Sequence, residues 1–224
     1  MKTILIVSAH ADDETLGCAG TMLRHRQQCD RLFWVLATEP TGDMAQPDFV
    51  AQRERQIAEV SDAIGYEKIW RLRLPAAGLD ALPPSRVIAA LQTIIDSVHP
   101  DIIYSVHRND VHGDHRALFD ALWVAAKPIH GRPAADIYCY ETLSSTNLAH
   151  RMNGKSFAPD YFVDISGLME QKKAINGLYQ SEFHTPPHPR SLDAVEALAR
   201  YRGAAMGVHY AEAFVTLRRF WSAS

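Results

Sequence analysis

The 224-residue sequence contains little cysteine and no long hydrophobic run, and each shortage excludes a class of protein. The three cysteines, Cys18, Cys29 and Cys139, are far apart and form no Cys-x-x-Cys pair, which indicates a reducing compartment and no disulfide framework. No stretch approaches the roughly 18 apolar residues of a membrane span, and the apolar run after Lys2 is too short for a signal-peptide core. We therefore expect a cytoplasmic protein with no membrane span.

An excess of charge of one sign is also missing. The formal net charge is −3 and no block of five or more like charges occurs, so we expect no nucleic acid and no membrane surface as a partner. A hydrophobic content of 47% and a charged content of 22% are ordinary for a globular chain with one core. We expect a single domain over residues 1–224 and a small molecule as its ligand.

Short apolar segments alternate along the chain with segments of helical periodicity. Strands are predicted over residues 2–7, 31–38, 68–72, 101–106 and 136–141, with helices over 15–29, 48–65, 85–98 and 116–127. This alternation predicts a Rossmann-like, doubly wound α/β fold, with a mostly parallel sheet and helices on both faces. We expect the less regular last third of the chain to cap the sheet edge and the site.

Two polar motifs follow two of these strands. The sequence His10-Ala11-Asp12-Asp13 comes after the first strand, and His112-Gly113-Asp114-His115 comes after the fourth. In the commonest doubly wound strand order, 3-2-1-4-5, strands 1 and 4 are neighbours and open a crevice at their carboxyl ends. The fold therefore predicts that the two motifs meet, although a hundred residues separate them.

Imidazoles and carboxylates that converge on a crevice suit Zn²⁺, which leaves a position open for water in catalytic sites. Another divalent transition metal, such as iron or manganese, satisfies the same donors. Helix capping alone is the competing explanation for Asp12, Asp13 and Glu14. Capping needs only one carboxylate, however, and it does not require His10, so the paired motifs favour a metal site.

The segment from Ala9 to Gly20, AHADDETLGCAG, closely resembles the AHPDDE signature of the LmbE/PIG-L zinc-dependent deacetylases. The HGDH sequence at residues 112–115 resembles the second, HPDH-like element of that family, and weaker similarities continue in order along nearly the whole chain. The resemblance implies a metal-dependent N-deacetylase whose substrate is a small N-acetylated sugar or glycoconjugate of the N-acetylglucosamine type. Members of this family often form oligomers, so the resemblance is also compatible with a homo-oligomer.

The resemblance also implies roles for the residues of both motifs. The metal ligands would be His10, Asp13 and His115. Asp12 would be the general base that activates water, and His112 would stabilise the oxyanion or protonate the leaving amine. Asp114 would orient or tune His112. Two departures, Ala11 and Gly113 in place of proline, remove none of these groups.

Substrate contacts are expected from other segments. Arg53 occupies the family's arginine position and would contact the sugar or its aglycone, with Arg55 as a competing choice. Glu39 and Asp43 follow the second strand and are candidates for binding substrate hydroxyls, with turn chemistry as the alternative. Asp110 is expected to line the pocket and bind substrate or to hydrogen-bond the metal histidines, with a loop-shaping role as the alternative. We expect specificity to lie in loops 40–48, 75–84 and 142–160.

Other functions fit the same sequence less closely. A zinc hydrolase of another small amide or ester needs the same site, and a non-catalytic, Rossmann-like ligand-binding module needs only the fold. A dinucleotide-binding protein is disfavoured, because the first strand–helix turn lacks Gly-x-Gly-x-x-Gly and carries carboxylates where phosphates would bind. Glu182 stands where many relatives have glutamine, a change that bears on substrate polarity.

Overall fold

A computed structural model describes residues 1–129, 133–150 and 156–221. Its strands are β1 (Thr3–Ser8), β2 (Arg31–Glu39), β3 (Lys68–Pro75), β4 (Ile102–Val106), β5 (Asp136–Tyr140), β6 (Tyr161–Asp164) and β7 (Ala211–Arg218). Its α-helices are α1 (Asp13–Gln27), α2 (Pro47–Ile64), α3 (Pro84–Val98), α4 (Gly113–Ala125), α5 (Met169–Asn176) and α6 (Leu192–Ala204). None of the helices in these ranges is long and apolar enough to cross a membrane.

The strands form one seven-stranded sheet in the order β3-β2-β1-β4-β5-β7-β6. Strands β1 to β5 pair in parallel, β7 pairs antiparallel with β5, and β6 pairs antiparallel with β7. Helix α1 packs against α2 and α5, while α3 packs against α4, as expected for helices on two faces of a doubly wound sheet. The predicted α/β fold is confirmed.

Strand β1 is an interior strand of the sheet, and its side chains are apolar on both faces. Residues 4–7 are fully buried between β2 and β4. At its carboxyl end Ser8 accepts a hydrogen bond from the indole Nε1 of buried Trp34, at 2.8 Å. The pairing of Val7 with Ser105 places the ends of β1 and β4 side by side, which brings the two polar motifs to one edge.

A buried ion pair connects the last third of the chain to α1. Glu212 on β7 accepts hydrogen bonds from the backbone N–H groups of Gly20 and Thr21 and lies 2.5 Å from Nζ of Lys172 on α5. The Lys172 ammonium also donates to the backbone carbonyl of Leu16 at 2.8 Å. Lys172 is 2% and Glu212 is 5% exposed, so neither charge has water as a substitute partner.

Glu212→Ala is expected to lower the free energy of unfolding by about 3–5 kcal/mol, because Lys172 would remain buried without its counter-charge. Urea unfolding measures this change. The matched control is Glu67→Ala, which removes an exposed ion pair with Arg31 and should cost less than about 1 kcal/mol. Equal effects of the two substitutions would contradict a structural role for the buried pair.

Candidate metal centre and cavity

The two motifs meet at the carboxyl ends of β1 and β4, as predicted. His10 lies in the turn between β1 and α1, and His112 is the N-cap residue of α4. The ring centroid of His10 is 4.4 Å from that of His112 and 5.3 Å from that of His115. Helix α4 begins here because Nδ1 of His112 accepts the backbone N–H of Asp114 at 3.2 Å, which satisfies a free donor of the first turn.

His10 and His115 each direct one ring nitrogen to a common point and the other to a carboxylate. Nδ1 of His10 lies 3.3 Å from Nε2 of His115. Behind them, Nε2 of His10 contacts Asp114 at 2.9 Å, and Nδ1 of His115 contacts Asp110 at 3.0 Å. Burial alone lowers the pKa of both rings, but these carboxylates and Asp13 outweigh it and raise the pKa values to about 9 and about 10. Carboxylates placed behind imidazoles in this way are typical of metal-binding histidines.

Asp13 presents one oxygen to the same point. Its Oδ2 accepts hydrogen bonds from the backbone N–H groups of Ala9 and His10, at 3.1 and 2.8 Å. Its Oδ1 is buried, lies 3.3 Å from Nε2 of His115, and has no hydrogen-bond partner among the described residues. A buried carboxylate oxygen without a donor is costly unless a cation satisfies it. This feature fits a metal ion.

A group of three histidines, His10, His112 and His115, has ligand atoms within 4.8 Å of one another and can hold a metal ion. Burial and the neighbouring His10 and His115 lower the pKa of His112, so its ring is neutral at pH 7. The donor set of imidazoles with an adjacent carboxylate fits zinc and other divalent transition metals. This group includes His112, which the sequence-based assignment kept for catalysis, so the ligand set of His10, Asp13 and His115 stays a prediction.

Asp12 occupies a strained position beside this centre. Its φ of 145° lies in the range that non-glycine residues rarely adopt. Glu14 holds this backbone, because its carboxylate accepts the Asp12 N–H at 3.2 Å and the hydroxyl of Tyr179 at 2.9 Å. Burial raises the pKa of Asp12 to about 7, although the ion pair with Arg190, at 2.7 Å, opposes this shift.

The structure shows what two further carboxylates contact. The Asp114 carboxylate contacts His10, accepts the backbone N–H groups of Ala77 and Leu79, and lies 3.9 Å from Nδ1 of His112. The backbone N–H of Asp114 also donates to that Nδ1, so an orienting role towards His112 stays a prediction. Asp110 does not line the cavity described below: it is 4% exposed, and besides His115 it accepts the hydroxyl groups that follow β5. Both residues position histidines, because their oxygens are already occupied by buried donors.

A cavity of about 490 Å³ opens beside the metal centre. His10, Asp12 and His112 line it together with residues of β2, β3, the β2–α2 loop, α2 and the loop between α5 and α6. Of the expected substrate contacts, Arg53, Glu39 and Asp43 all line this cavity, and Asp43 is exposed at its rim. Arg53 is 8% exposed whereas Arg55 points to solvent, so the structure favours Arg53. The expected specificity loop 142–160 includes residues 151–155, which lie outside the described ranges.

Two charged residues of the cavity were not among the predicted site residues, although the sequence had marked Glu182 as a change that bears on substrate polarity. Arg190 donates to Asp12 and to Ser144 and contacts Glu182 at 3.1 Å. Glu182 also forms an ion pair with Arg53. Both residues belong to the loop between α5 and α6, a Pro-rich segment without periodicity, and only the resemblance marked the segment around Glu182.

A family profile described as "PIG-L: GlcNAc-PI de-N-acetylase" matches residues 5–126. The uncharacterized deacetylase YaiS of Escherichia coli (strain K12) is 28% identical over 177 residues, which cover 76% of this chain and 91% of that protein. The diacetylchitobiose deacetylase of Thermococcus kodakarensis (strain ATCC BAA-918 / JCM 12380 / KOD1) is 24% identical over 225 residues, covering 95% and 82%.

A solved structure has the same fold as this chain. The conserved protein TT1542 from Thermus thermophilus superposes with a TM-score of 0.78 at 26% identity, over 100% of both chains. The matched profile spans more than half of this chain and includes both histidine motifs. The resemblance of those motifs is thus confirmed, and the chain belongs to the PIG-L (LmbE-like) family.

Proposed function

We propose that this N-deacetylase removes the acetyl group from a small N-acetylated sugar or glycoconjugate, using Zn²⁺ held by His10, Asp13 and His115. The observation that carries the proposal is the convergence of their free donor atoms. Two separations, from Nε2 of His115 to Nδ1 of His10 and to Oδ1 of Asp13, are both 3.3 Å. Ligands about 2.0–2.1 Å from a tetrahedral ion are about 3.3–3.4 Å apart.

In this assignment His112 does not bind the metal and acts on the substrate. Its Nδ1 accepts a backbone hydrogen bond, so the neutral ring carries its proton on Nε2. The ring lines the cavity, where this N–H suits the oxyanion of the acetyl group and, later, the leaving amine.

Asp12 supplies the proton acceptor. A divalent metal held beside it would polarise the acetyl carbonyl and acidify water. A carboxylate with a pKa of about 7 is well matched to accepting a proton near neutral pH. Arg190 holds Oδ2, while Oδ1 is buried without a partner among the described residues and is free to accept that proton.

Two separate observations support the proposed compartment and the proposed substrate class. Cys18, Cys29 and Cys139 are all free, which supports the cytoplasm. The name of the Thermococcus kodakarensis relative supports an N-acetylated sugar as substrate.

Purified protein loaded with Zn²⁺ is expected to release acetate from N-acetylglucosamine glycosides, and chelator-treated protein is expected to release none. Enzymatic assay of acetate and of the free amine measures both products, which should appear in equal amounts. Readdition of Zn²⁺ to the chelated sample is the control for irreversible unfolding. Metal-loaded protein that releases no acetate from any glycoside of the series would overturn the proposal.

A further inference from the structure

The cations of the cavity are already paired with carboxylates. Arg53 forms an ion pair with Glu182 and donates to the backbone carbonyl of Ala11 at 3.1 Å. Arg190 contacts the other oxygen of Glu182 at 3.1 Å and Asp12 at 2.7 Å. Glu182 therefore bridges the two arginines, one oxygen to each, across the cavity wall.

The third cavity arginine is paired in the same way. Arg71 donates to both carboxylate oxygens of Glu54, at 2.8 and 2.9 Å, in the bidentate arrangement that binds a carboxylate most firmly. Glu39 and Asp43 add negative charge to the lining. A substrate carboxylate would thus meet acidic side chains and guanidinium groups that are already engaged.

Most of the uncharged lining is apolar, and polar Thr38 and Gln46 are also part of it. The larger apolar residues are Leu36, Pro40, Met44, Phe49 and Ile57. Phe49 stacks against the Arg53 guanidinium, with 5.2 Å between the ring centroid and Cζ, which holds that guanidinium against the wall. This surface suits an aromatic or aliphatic group that extends from the sugar.

We propose that Glu182 determines specificity by neutralising Arg53 and Arg190, so that the enzyme selects N-acetylated sugars with a neutral, apolar aglycone and rejects anionic ones. The inference rests on the proposed deacetylation and names the substrate class for it. Binding an anionic aglycone would require Arg53 to leave Glu182, which would leave a partly buried carboxylate with Arg190 as its one remaining arginine partner. A neutral aromatic aglycone leaves the ion pair between Arg53 and Glu182 intact and buries apolar surface against the cavity wall.

The test compares two substrates that differ only in charge, the phenyl and 4-carboxyphenyl glycosides of N-acetylglucosamine. The wild-type enzyme is expected to hydrolyse the phenyl glycoside with a kcat/KM at least about tenfold higher, through KM more than kcat. Equal rates, or a preference for the carboxylate, would overturn the inference. Acetate from neither substrate would instead count against the proposed deacetylation itself, so the two failures are distinguishable.

Glu182→Gln tests the residue directly. The amide keeps the shape of the side chain but removes the counter-charge of Arg53, while Arg190 keeps only Asp12, so the preference for the phenyl glycoside is expected to fall about tenfold or more. Glu67→Gln, which alters an exposed ion pair at the amino-terminal ends of β2 and β3, should leave the ratio unchanged. An unchanged ratio in folded Glu182→Gln would contradict the proposal, and should the variant not fold, the wild-type ratio alone decides.

Discussion

Asp13→Ala is expected to strip the metal from the protein and to abolish deacetylation, whereas His112→Ala keeps the metal and loses only turnover. The difference follows from which side-chain atoms of Asp13 and His112 lack a hydrogen-bond partner. Oδ1 of Asp13 is buried without a donor among the described residues and lies 3.3 Å from Nε2 of His115, so it has no evident function other than metal binding. Nδ1 of His112 is occupied by a backbone N–H, and its ring borders the cavity.

Elemental analysis of the two dialysed variants, together with acetate release, measures both effects. Without Asp13, turnover should fall to background; without His112 it should fall by about 10²–10³, the usual cost of one oxyanion donor. His10, His112 and His115 also form a compact group that can hold a metal ion, so the alternative ligand set is the three histidines without Asp13. Metal lost from His112→Ala and retained by Asp13→Ala would make the three histidines the ligands.

Asp12→Asn is expected to reduce kcat by about 10²–10⁴ while the protein keeps its metal and its fold. Asparagine has the size of aspartate and tolerates positive φ, so the strained corner should survive the change. The amide cannot accept a proton from water. Metal content, circular dichroism and kcat at saturating substrate are the measurements.

Asp48→Asn is the matched control, since it removes an exposed carboxylate in the first turn of α2. It should leave kcat within about twofold of wild type. If Asp12→Asn loses its metal, Asp12 is a ligand rather than the base. If it retains full turnover, another group accepts the proton.

The fold and the meeting of the two motifs could be predicted because both depend on local patterns. Buried strands carry continuous apolar runs, as at residues 4–7, and the doubly wound order then fixes which strand ends are neighbours. His10 and His112 follow adjacent parallel strands, so no detail of packing was needed to bring them together. No comparable rule predicts the antiparallel pairing of β6 and β7 from the sequence.

The connections of the carboxylates could not be predicted. The sequence places Asp114 beside His112, but helix α4 turns its carboxylate to His10 and to two backbone N–H groups of the loop that follows β3. Arg190 is 178 positions from Asp12, in a loop whose path depends on how α5 and α6 pack. Spacing along a chain carries no information about contacts of this range, which tertiary packing alone determines.

The positive φ of Asp12 also limits how this enzyme can evolve. Glycine adopts such a backbone freely and asparagine and aspartate do so more readily than most residues, whereas a longer acid such as glutamate pays a steric cost. Glycine and asparagine have no side-chain group that accepts a proton from water. With Asp12 as the base proposed above, replacement by either residue would keep the backbone and end turnover, so changes of substrate are expected to arise in the cavity wall.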